Sequence, residues 1–162
     1  MHLMTRAPGK VFFEKVLAKN KKAYFDYEVL EKYETGIVLT GAEVKSIKEG
    51  RVQLKGSFAT VKQGCIMTQN LHVSPYRYAT DQSYNPTRSR ELLLKRKEIN
   101  HLSGITAQKG LTLIPLEIIL KKNFVKVVLG VCRGKKAGDK REVLKRRAIT
   151  REINQGLKKF SR

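Results

Sequence analysis

The chain has 162 residues, with 34 Lys and Arg against 14 Asp and Glu, a net charge of +20 and a pI near 10.2. Solubility of a small domain needs a net charge of only about 2 to 8; an excess of this size implies a polyanionic partner, and nucleic acid fits a basic surface best. No stretch approaches the roughly 18 apolar residues of a membrane-spanning helix, and 41% hydrophobic residues without Trp predict a modest aliphatic core.

Residues 1–13 hold basic residues and one short apolar patch, Val11, Phe12 and Phe13, too short for a secretory signal. A mobile N-terminal arm over residues 1–18 is expected. Lys19-Asn20-Lys21-Lys22 is a basic cluster with no apolar period. Tyr24, Phe25, Tyr27, Val29, Leu30 and Tyr33 favour strand, but their spacing mixes helical and strand periods. After Gly36, Ile37-Val38-Leu39 reads as a short buried strand. Thr40 with Glu43 three residues later is the pattern of a capping box, so a helix is predicted over 40–49, with Val44 and Ile47 facing the core and Gly50 as its stop.

Strands at 58–61 and 65–71 flank the turn signal Gln63-Gly64 and predict a hairpin. Residues 75–86 are polar, aromatic and turn-rich, a long exposed loop of the kind that usually carries function. The apolar spacing of 90–105 is mostly helical. Residues 111–120 form an apolar strand in which Pro115 requires an edge or a bulge. Lys121-Lys122-Asn123 is a hairpin turn, and 124–132 returns as a strand. The sum is about six antiparallel strands with two inserted helices, which favours closure into a small barrel.

Charge then divides the chain. Residues 133–162 hold 12 basic and 3 acidic residues, against 22 and 11 in residues 1–132. Gly134-Lys135-Lys136-Ala137-Gly138 cannot continue a core. Beyond it Leu144, Ile149, Ile153, Leu157 and Phe160 recur roughly every four residues. Like charges on such a helix keep it frayed in water, so the tail reads as a segment that folds on a polyanion.

Catalytic chemistry has no evident seat. His2, His72 and His101 do not sit at metal-ligand spacing with a Cys or a carboxylate. Cys65 and Cys132, the only thiols, lie in apolar runs and imply a reducing cytoplasm. No cofactor and no metal are expected. The residues suited to RNA are basic groups for phosphates, Lys21, Lys22, Lys45, Lys48, Arg51, Arg88 and Arg90; aromatics for stacking on unpaired bases, Tyr24, Tyr76, Tyr78 and Tyr84; and Glu34 as an acceptor for base edges.

Six segments in order also carry a resemblance. They are 20–27 (Asn20 to Tyr27), Glu34-Thr35-Gly36 through Gly41, Glu43-Val44-Lys45-Ser46, Pro86-Thr87-Arg88-Ser89-Arg90 with Leu92-Leu93-Leu94, 109–116 from Lys109 to Leu116, and Gly134-Lys135-Lys136 followed by Asp139-Lys140-Arg141-Glu142. Together they resemble the SsrA-binding protein family, also called small protein B, over residues 19–153. The resemblance implies a mainly β fold: a small closed six-stranded antiparallel OB-like barrel over 19–132, two or three flanking helices, and a basic C-terminal tail over 133–162, disordered alone and helical on the ribosome. It implies binding of the tRNA-like domain of transfer-messenger RNA and its delivery to stalled ribosomes in trans-translation. The barrel holds the RNA, and the tail probes the empty mRNA channel of the small subunit, near the decoding centre. A cytoplasmic monomer, one to one with the RNA, goes with this.

By family position Glu34, Leu93 and Lys95 belong to the RNA-binding face. Gly134, Lys135, Lys136, Asp139, Lys140 and Arg141, with Lys145, Arg146 and Arg147, belong to the ribosome-entering tail. The family often has Asn in place of Lys95, many members have His in place of Gly138, and some have an aromatic in place of Ile149.

Overall fold

The computed structural model describes residues 15–80 and 83–160. The arm expected for residues 1–14 lies outside them, as does the side chain of Phe160. In chain order the elements are β1 (Lys15–Lys19), α1 (Lys21–Asp26), β2 (Tyr27–Ile37), α2 (Gly41–Lys48), β3 (Val52–Gln53), β4 (Phe58–Lys62), β5 (Cys65–Gln69), β6 (His72–Val73), β7 (Arg90–Leu93), α3 (Arg96–Thr106), β8 (Leu111–Lys121), β9 (Phe124–Gly134) and α4 (Ala137–Phe160).

Three long strands form the frame. β9 pairs antiparallel with β2 along one edge and with β8 along the other. The β8–β9 turn is set by Lys122 and Asn123, whose φ values of 48° and 67° give a two-residue turn matched to strand twist. The β4–β5 turn uses Gln63 and Gly64 in the same way, at φ 47° and 75°. Pairing then runs β8–β4–β5–β7–β2–β9, and β9 meets β8 again; β1 lies on the other side of β8, while β3 and β6 make a separate two-stranded ribbon. Gly130 is a close approach within this frame, because a Cβ there would lie 2.6 Å from Leu116 Cδ1.

The interior is aliphatic, as the composition predicts. Ile47, Ile66, Leu71, Leu92, Leu102, Leu113, Ile118, Val127 and Leu129 are fully or almost fully buried in one cluster. Of the pair expected to turn α2 inward, Ile47 is buried and Val44 only half-buried. α3 closes the cluster with Leu102, while Ile99 and Ile105 pack beside it.

Three differences from the sequence reading have physical reasons, and one alternative it left open is decided. Residues 15–18, assigned to a mobile arm, lie in β1, because β8 has an open edge that Lys15–Lys19 pairs with. The run 37–39 is not a separate strand: Ile37 ends β2, and Val38 is 46% exposed. The helical expectation for 90–105 holds only from Arg96. Residues 90–93 fill the gap between β5 and β2 as β7, with Arg90 and Leu92 buried at strand period. Pro115 marks a bulge and not an edge, since β8 pairs with β1, β4 and β9 and its register shifts between Pro115 and Glu117.

The bulge is held by a residue that the basic cluster concealed. Asn20 is buried, and its Oδ1 accepts from the N–H of Ala23 at 3.0 Å, capping α1. Its Nδ2 donates to the carbonyls of Leu54 at 3.0 Å and Pro115 at 3.1 Å, and its own N–H donates to Leu116 O at 2.7 Å. One side chain therefore joins β1, α1, the β3–β4 connection and the β8 bulge.

Glu43 is the second internal tie. It completes the predicted capping box: Thr40 Oγ1 accepts from the Glu43 N–H, and the Thr40 N–H donates to Glu43 Oε2 at 2.9 Å. Only 1% exposed, Glu43 also receives Arg88 Nε at 2.8 Å and Arg90 Nε at 2.9 Å. Burial pushes its carboxyl up, but the bonds from Arg88, Thr40 and Arg90 outweigh this and hold it at about 2.

Two outcomes are expected. Asn20→Ala removes the α1 cap and the donor to Pro115 and is expected to cost roughly 1–3 kcal/mol; an unchanged urea midpoint would refute the tie. Glu43, ionised in the fold at a pH where it is protonated in the unfolded chain, contributes stability above pH 4.5 that is lost as pH falls towards about 2. The loss is on the order of 3 kcal/mol. Acid unfolding of Glu43→Gln is expected to be flatter over that window, and equal slopes would show that Glu43 is not the titrating group.

Candidate nucleic-acid interface

The outer face of β2, β7 and β9 brings together two of the residues singled out in the sequence. Gly36 pairs with Leu93 on β7 and with Lys126 on β9, and Glu34 stands two residues before it. Opposite positions and alternate residues share a face, so Glu34, Lys126 and Leu93 surround the bare backbone of Gly36. The approach there is tight: a Cβ at 36 would sit 3.2 Å from Leu93 Cβ, which would have to shift by a few tenths of an ångström. Leu93 is 54% exposed, a large apolar side chain with no core to fill.

Glu34 is not an open acceptor. Lys121 Nζ lies 2.7 Å from one of its oxygens and Lys126 Nζ 3.0 Å from the other. The bond from Lys121 does most to hold its carboxyl below the usual range, with Lys126 adding to it, so it is ionised at neutral pH. The two lysines escaped the sequence reading, because the β2–β9 pairing that brings Lys126 beside Glu34 joins strands far apart in the chain. Lys95 is exposed at the start of α3, where its backbone N–H donates to Glu98 Oε2 at 2.8 Å.

A second group lies between α2 and the 75–86 loop. Lys45 Nζ stands 5.4 Å from the centre of the Tyr76 ring, and Tyr76 meets Tyr78 edge to face at 5.5 Å. Tyr78 is 80% exposed and free to stack. Tyr84, expected beside them, is turned inward: its hydroxyl lies 3.0 Å from Val73 O and 3.2 Å from Glu43 Oε1, and it receives Arg90 Nη2. Arg51 is half-buried, with its Nη1 buried and without a hydrogen-bond partner. Lys48 donates to Asn123 Oδ1 at 2.8 Å, joining α2 to the β8–β9 turn.

Arg88 and Arg90 correct the phosphate assignment. Arg90 is wholly buried, and its guanidinium serves Glu43, Leu71 O at 2.7 Å, Arg88 O at 3.0 Å and Pro86 O at 3.1 Å. It presents no donor to a phosphate. Arg88 keeps a partly exposed side chain, but both its bonds go to the Glu43 carboxylate. A basic residue at strand period beside an apolar partner was the available sign, and the helical reading of 90–105 hid it.

The third group is at α1. Lys21 and Lys22 are exposed. Tyr24 is half-buried, donating to Glu117 Oε1 at 2.9 Å, with Lys19 and Lys32 ammonium groups 4.9 and 5.3 Å from its ring centre. Burial, and then the bond to Glu117, pushes its hydroxyl up to about 12. Its ring is thus covered by lysines and is not an open platform. Lys19, Lys21, Tyr24, Arg146, Arg147 and Arg151 line a cleft of about 600 Å³ between α1 and α4.

α4 is the helix that the four-residue apolar spacing indicates. Leu144, Ile149, Ile153 and Leu157 are 53–63% exposed, so the apolar stripe covers no core. Lys136, Asp139, Arg141 and Lys145 are exposed; Arg146 pairs with Glu142 one turn away. Among the described residues no cluster of three His, Cys, Asp or Glu can hold a metal ion, and no helix is long and apolar enough to cross a membrane.

Comparison with known proteins agrees with these features. A model of the SmpB protein family matches residues 17–159. The chain is 52% identical over 144 residues to the SsrA-binding protein of Bacillus subtilis (strain 168), covering 89% of this chain and 92% of that protein. It is 48% identical over 145 residues to the SsrA-binding protein of Carboxydothermus hydrogenoformans, covering 90% and 97%. A solved structure described as "tmRNA-SmpB: a journey to the center of the bacterial ribosome" superposes with a TM-score of 0.64 at 46% identity, over 75% of this chain and 85% of that one. With its strands, flanking helices and motif order in agreement, the chain belongs to the SmpB protein family.

Proposed function

We propose that this protein binds the tRNA-like domain of transfer-messenger RNA and carries it to stalled ribosomes for trans-translation. The relatives are SsrA-binding proteins, and a related structure joins tmRNA and the ribosome. The observation that carries the reading onto this chain is the division of its charge between a mixed body and a helix that leaves it, with an exposed leucine and a lysine-flanked carboxylate on the body's outer face.

In this reading residues 19–132 are an OB-like barrel, its six-strand circuit closing where β9 meets β8. Glu34, Leu93 and Lys95 contact the RNA; Lys121 and Lys126 hold the Glu34 carboxylate ionised and aimed, so that it accepts from base edges while the lysines meet phosphates. Lys45 with Tyr76 and Tyr78, and Lys21 and Lys22, extend the contact. Lys95, an Asn in much of the family, is a phosphate contact where Asn reads a base. Residues 133–162 enter the mRNA channel of the small subunit. There the phosphates neutralise the helix's like charges, which fray it in the free protein. Without a ring at Gly138 and Ile149, the tail grips by charge and not by stacking. The protein acts as a cytoplasmic monomer, one to one with its RNA, and needs no cofactor.

Competition at roughly physiological salt tests the RNA specificity, since nonspecific phosphate binding weakens steeply with salt. Labelled tRNA-like domain is expected to stay bound against excess bulk tRNA; displacement by bulk tRNA would leave only a general RNA-binding protein. Deleting residues 134–162 is expected to preserve that binding and abolish tagging on stalled ribosomes. Loss of binding in a truncated body that still unfolds cooperatively would refute the division of labour. Glu34→Ala is expected to weaken RNA binding roughly tenfold, the loss of a charge-assisted hydrogen bond or two, with the thermal transition retained. A lost transition would make Glu34 structural.

A further inference from the structure

Phe124, the first residue of β9, is 71% exposed, more than Leu93 at 54% and Val38 at 46%. Strand pairing puts these three on one side of the body. Gly36 stands opposite Leu93 on β7 and Lys126 on β9. Two residues further on, the same register brings Val38 level with Glu91 on one side and Phe124 on the other. The ladder to β7 continues that far, since the Val38 N–H donates to Glu91 O at 3.0 Å, whereas the ladder to β9 stops at Gly36. Alternate residues share a face, so Leu93, Val38 and Phe124 line one end of the face around the bare backbone of Gly36. The Glu91 carboxylate stands on this face as well, but it accepts from the Cys65 thiol of β5, on the side away from β9.

The Phe124 ring is presented from a fixed support. It follows the two-residue turn of Lys122 and Asn123, and Asn123 Oδ1 accepts from Lys48 Nζ at 2.8 Å, which ties the hairpin tip to α2. Lys121 is its partner across the hairpin, and Lys126 stands two residues on, about 7 Å along the strand. Residues 121–126 hold three lysines and no acid. An apolar protein surface would have to cover those charges together with the ring, and the centres of protein interfaces are poor in charged residues. A polyanion that also carries flat apolar groups satisfies both.

We infer that Phe124 is a stacking platform for one unpaired base of the bound RNA. The inference rests on the proposed contact of the Glu34 and Leu93 face with the tRNA-like domain, and it extends that face to the tip of the β8–β9 hairpin. Phenylalanine has no hydrogen-bonding group and reads no base identity, but every base has a π-face to lay on it. The Lys121 and Lys126 ammonium groups carry three donors each, so they serve both Glu34 and a phosphate beside the stacked base. Glu34 thus takes a base by its edge and Phe124 takes one by its plane. The tie from Lys48 lowers the cost of ordering the hairpin tip on binding.

The test uses the full chain, with the labelled tRNA-like domain, a short single-stranded oligoadenylate and a fully paired RNA duplex as probes. The chain has no Trp, so Phe124→Trp carries the only indole. Its fluorescence is expected to be quenched strongly by the tRNA-like domain and the oligoadenylate, and little by the duplex, whose bases are already stacked. Equal quenching by the duplex would show mere nearness to RNA and overturn the platform. Phe124→Ala is expected to bind the tRNA-like domain about tenfold more weakly, the order of one stacked base. Its thermal transition and the salt dependence of its binding are expected to stay unchanged, because no phosphate contact is lost. Phe124→Leu, apolar but without a π-face, is expected to weaken with it, and Phe124→Trp to bind at least as well as the unaltered chain. Full affinity in Phe124→Ala or Phe124→Leu would overturn the inference, and a fall in tagging on stalled ribosomes with that affinity intact would assign the ring to a protein surface instead. If the unaltered chain does not distinguish the tRNA-like domain from bulk tRNA, the proposed function fails, and quenching by oligoadenylate against duplex still decides the platform.

Discussion

The buried carboxylate of Glu43 is the interaction on which the rest of this fold depends. It caps α2, holds Arg88 and Arg90, and through Arg90 reaches the carbonyls of Leu71 and Pro86. α2, β7 and both ends of the 71–86 segment therefore meet at one charge. Removing one partner of such a group leaves an uncompensated ion in the interior, typically worth several kcal/mol. The geometry also directs the loop: with Tyr84 drawn in to Arg90, Tyr76 and Tyr78 remain outside, beside Lys45.

The same logic recurs at three further acids. In a protein with a charge of +20, carboxylates are scarce, and these join elements distant in sequence. Glu34 joins β2 to Lys121 and Lys126, Glu117 joins β8 to Lys19 and Tyr24, and Asp26 joins α1 to the tail. Basic residues near these acids hold elements of the fold together as well as adding to its charge. Counting lysines and arginines therefore overstates the binding surface. Arg90 is the clearest case: a cation by sequence, and a core residue by position.

Local chemistry was the legible part. The Thr40–Glu43 capping box, the Gln63-Gly64 turn and the Lys122-Asn123 turn are short patterns whose geometry is fixed by a few neighbouring residues, and each appears where its pattern stands. Pro115 announced an edge or a bulge because proline lacks the N–H that a ladder needs, and the pairing of β8 on both sides made it a bulge. Residues 90–93 were misread because four residues rich in leucine satisfy a helical period as well as a strand period. The vacancy between β5 and β2 decided between them, and no local window contains that vacancy. Residues 15–18 were assigned to an arm for the same reason: their partner, β8, lies about a hundred residues away.

The sequence by itself determined the polyanionic partner, the mainly β architecture, the end of the body near Gly134, the helical period of the tail and the family. All of these rest on composition, spacing or ordered motifs, which need no knowledge of what lies across the fold. Only the tertiary structure decided which charges are free. It buried Arg90, closed Tyr84 against Glu43, covered Tyr24 with lysines, placed Lys126 beside Glu34 and turned Lys140 towards Asp26. An opposite charge within a few ångströms changes what a charged group offers a ligand, and those distances are set by pairings between residues far apart in the chain.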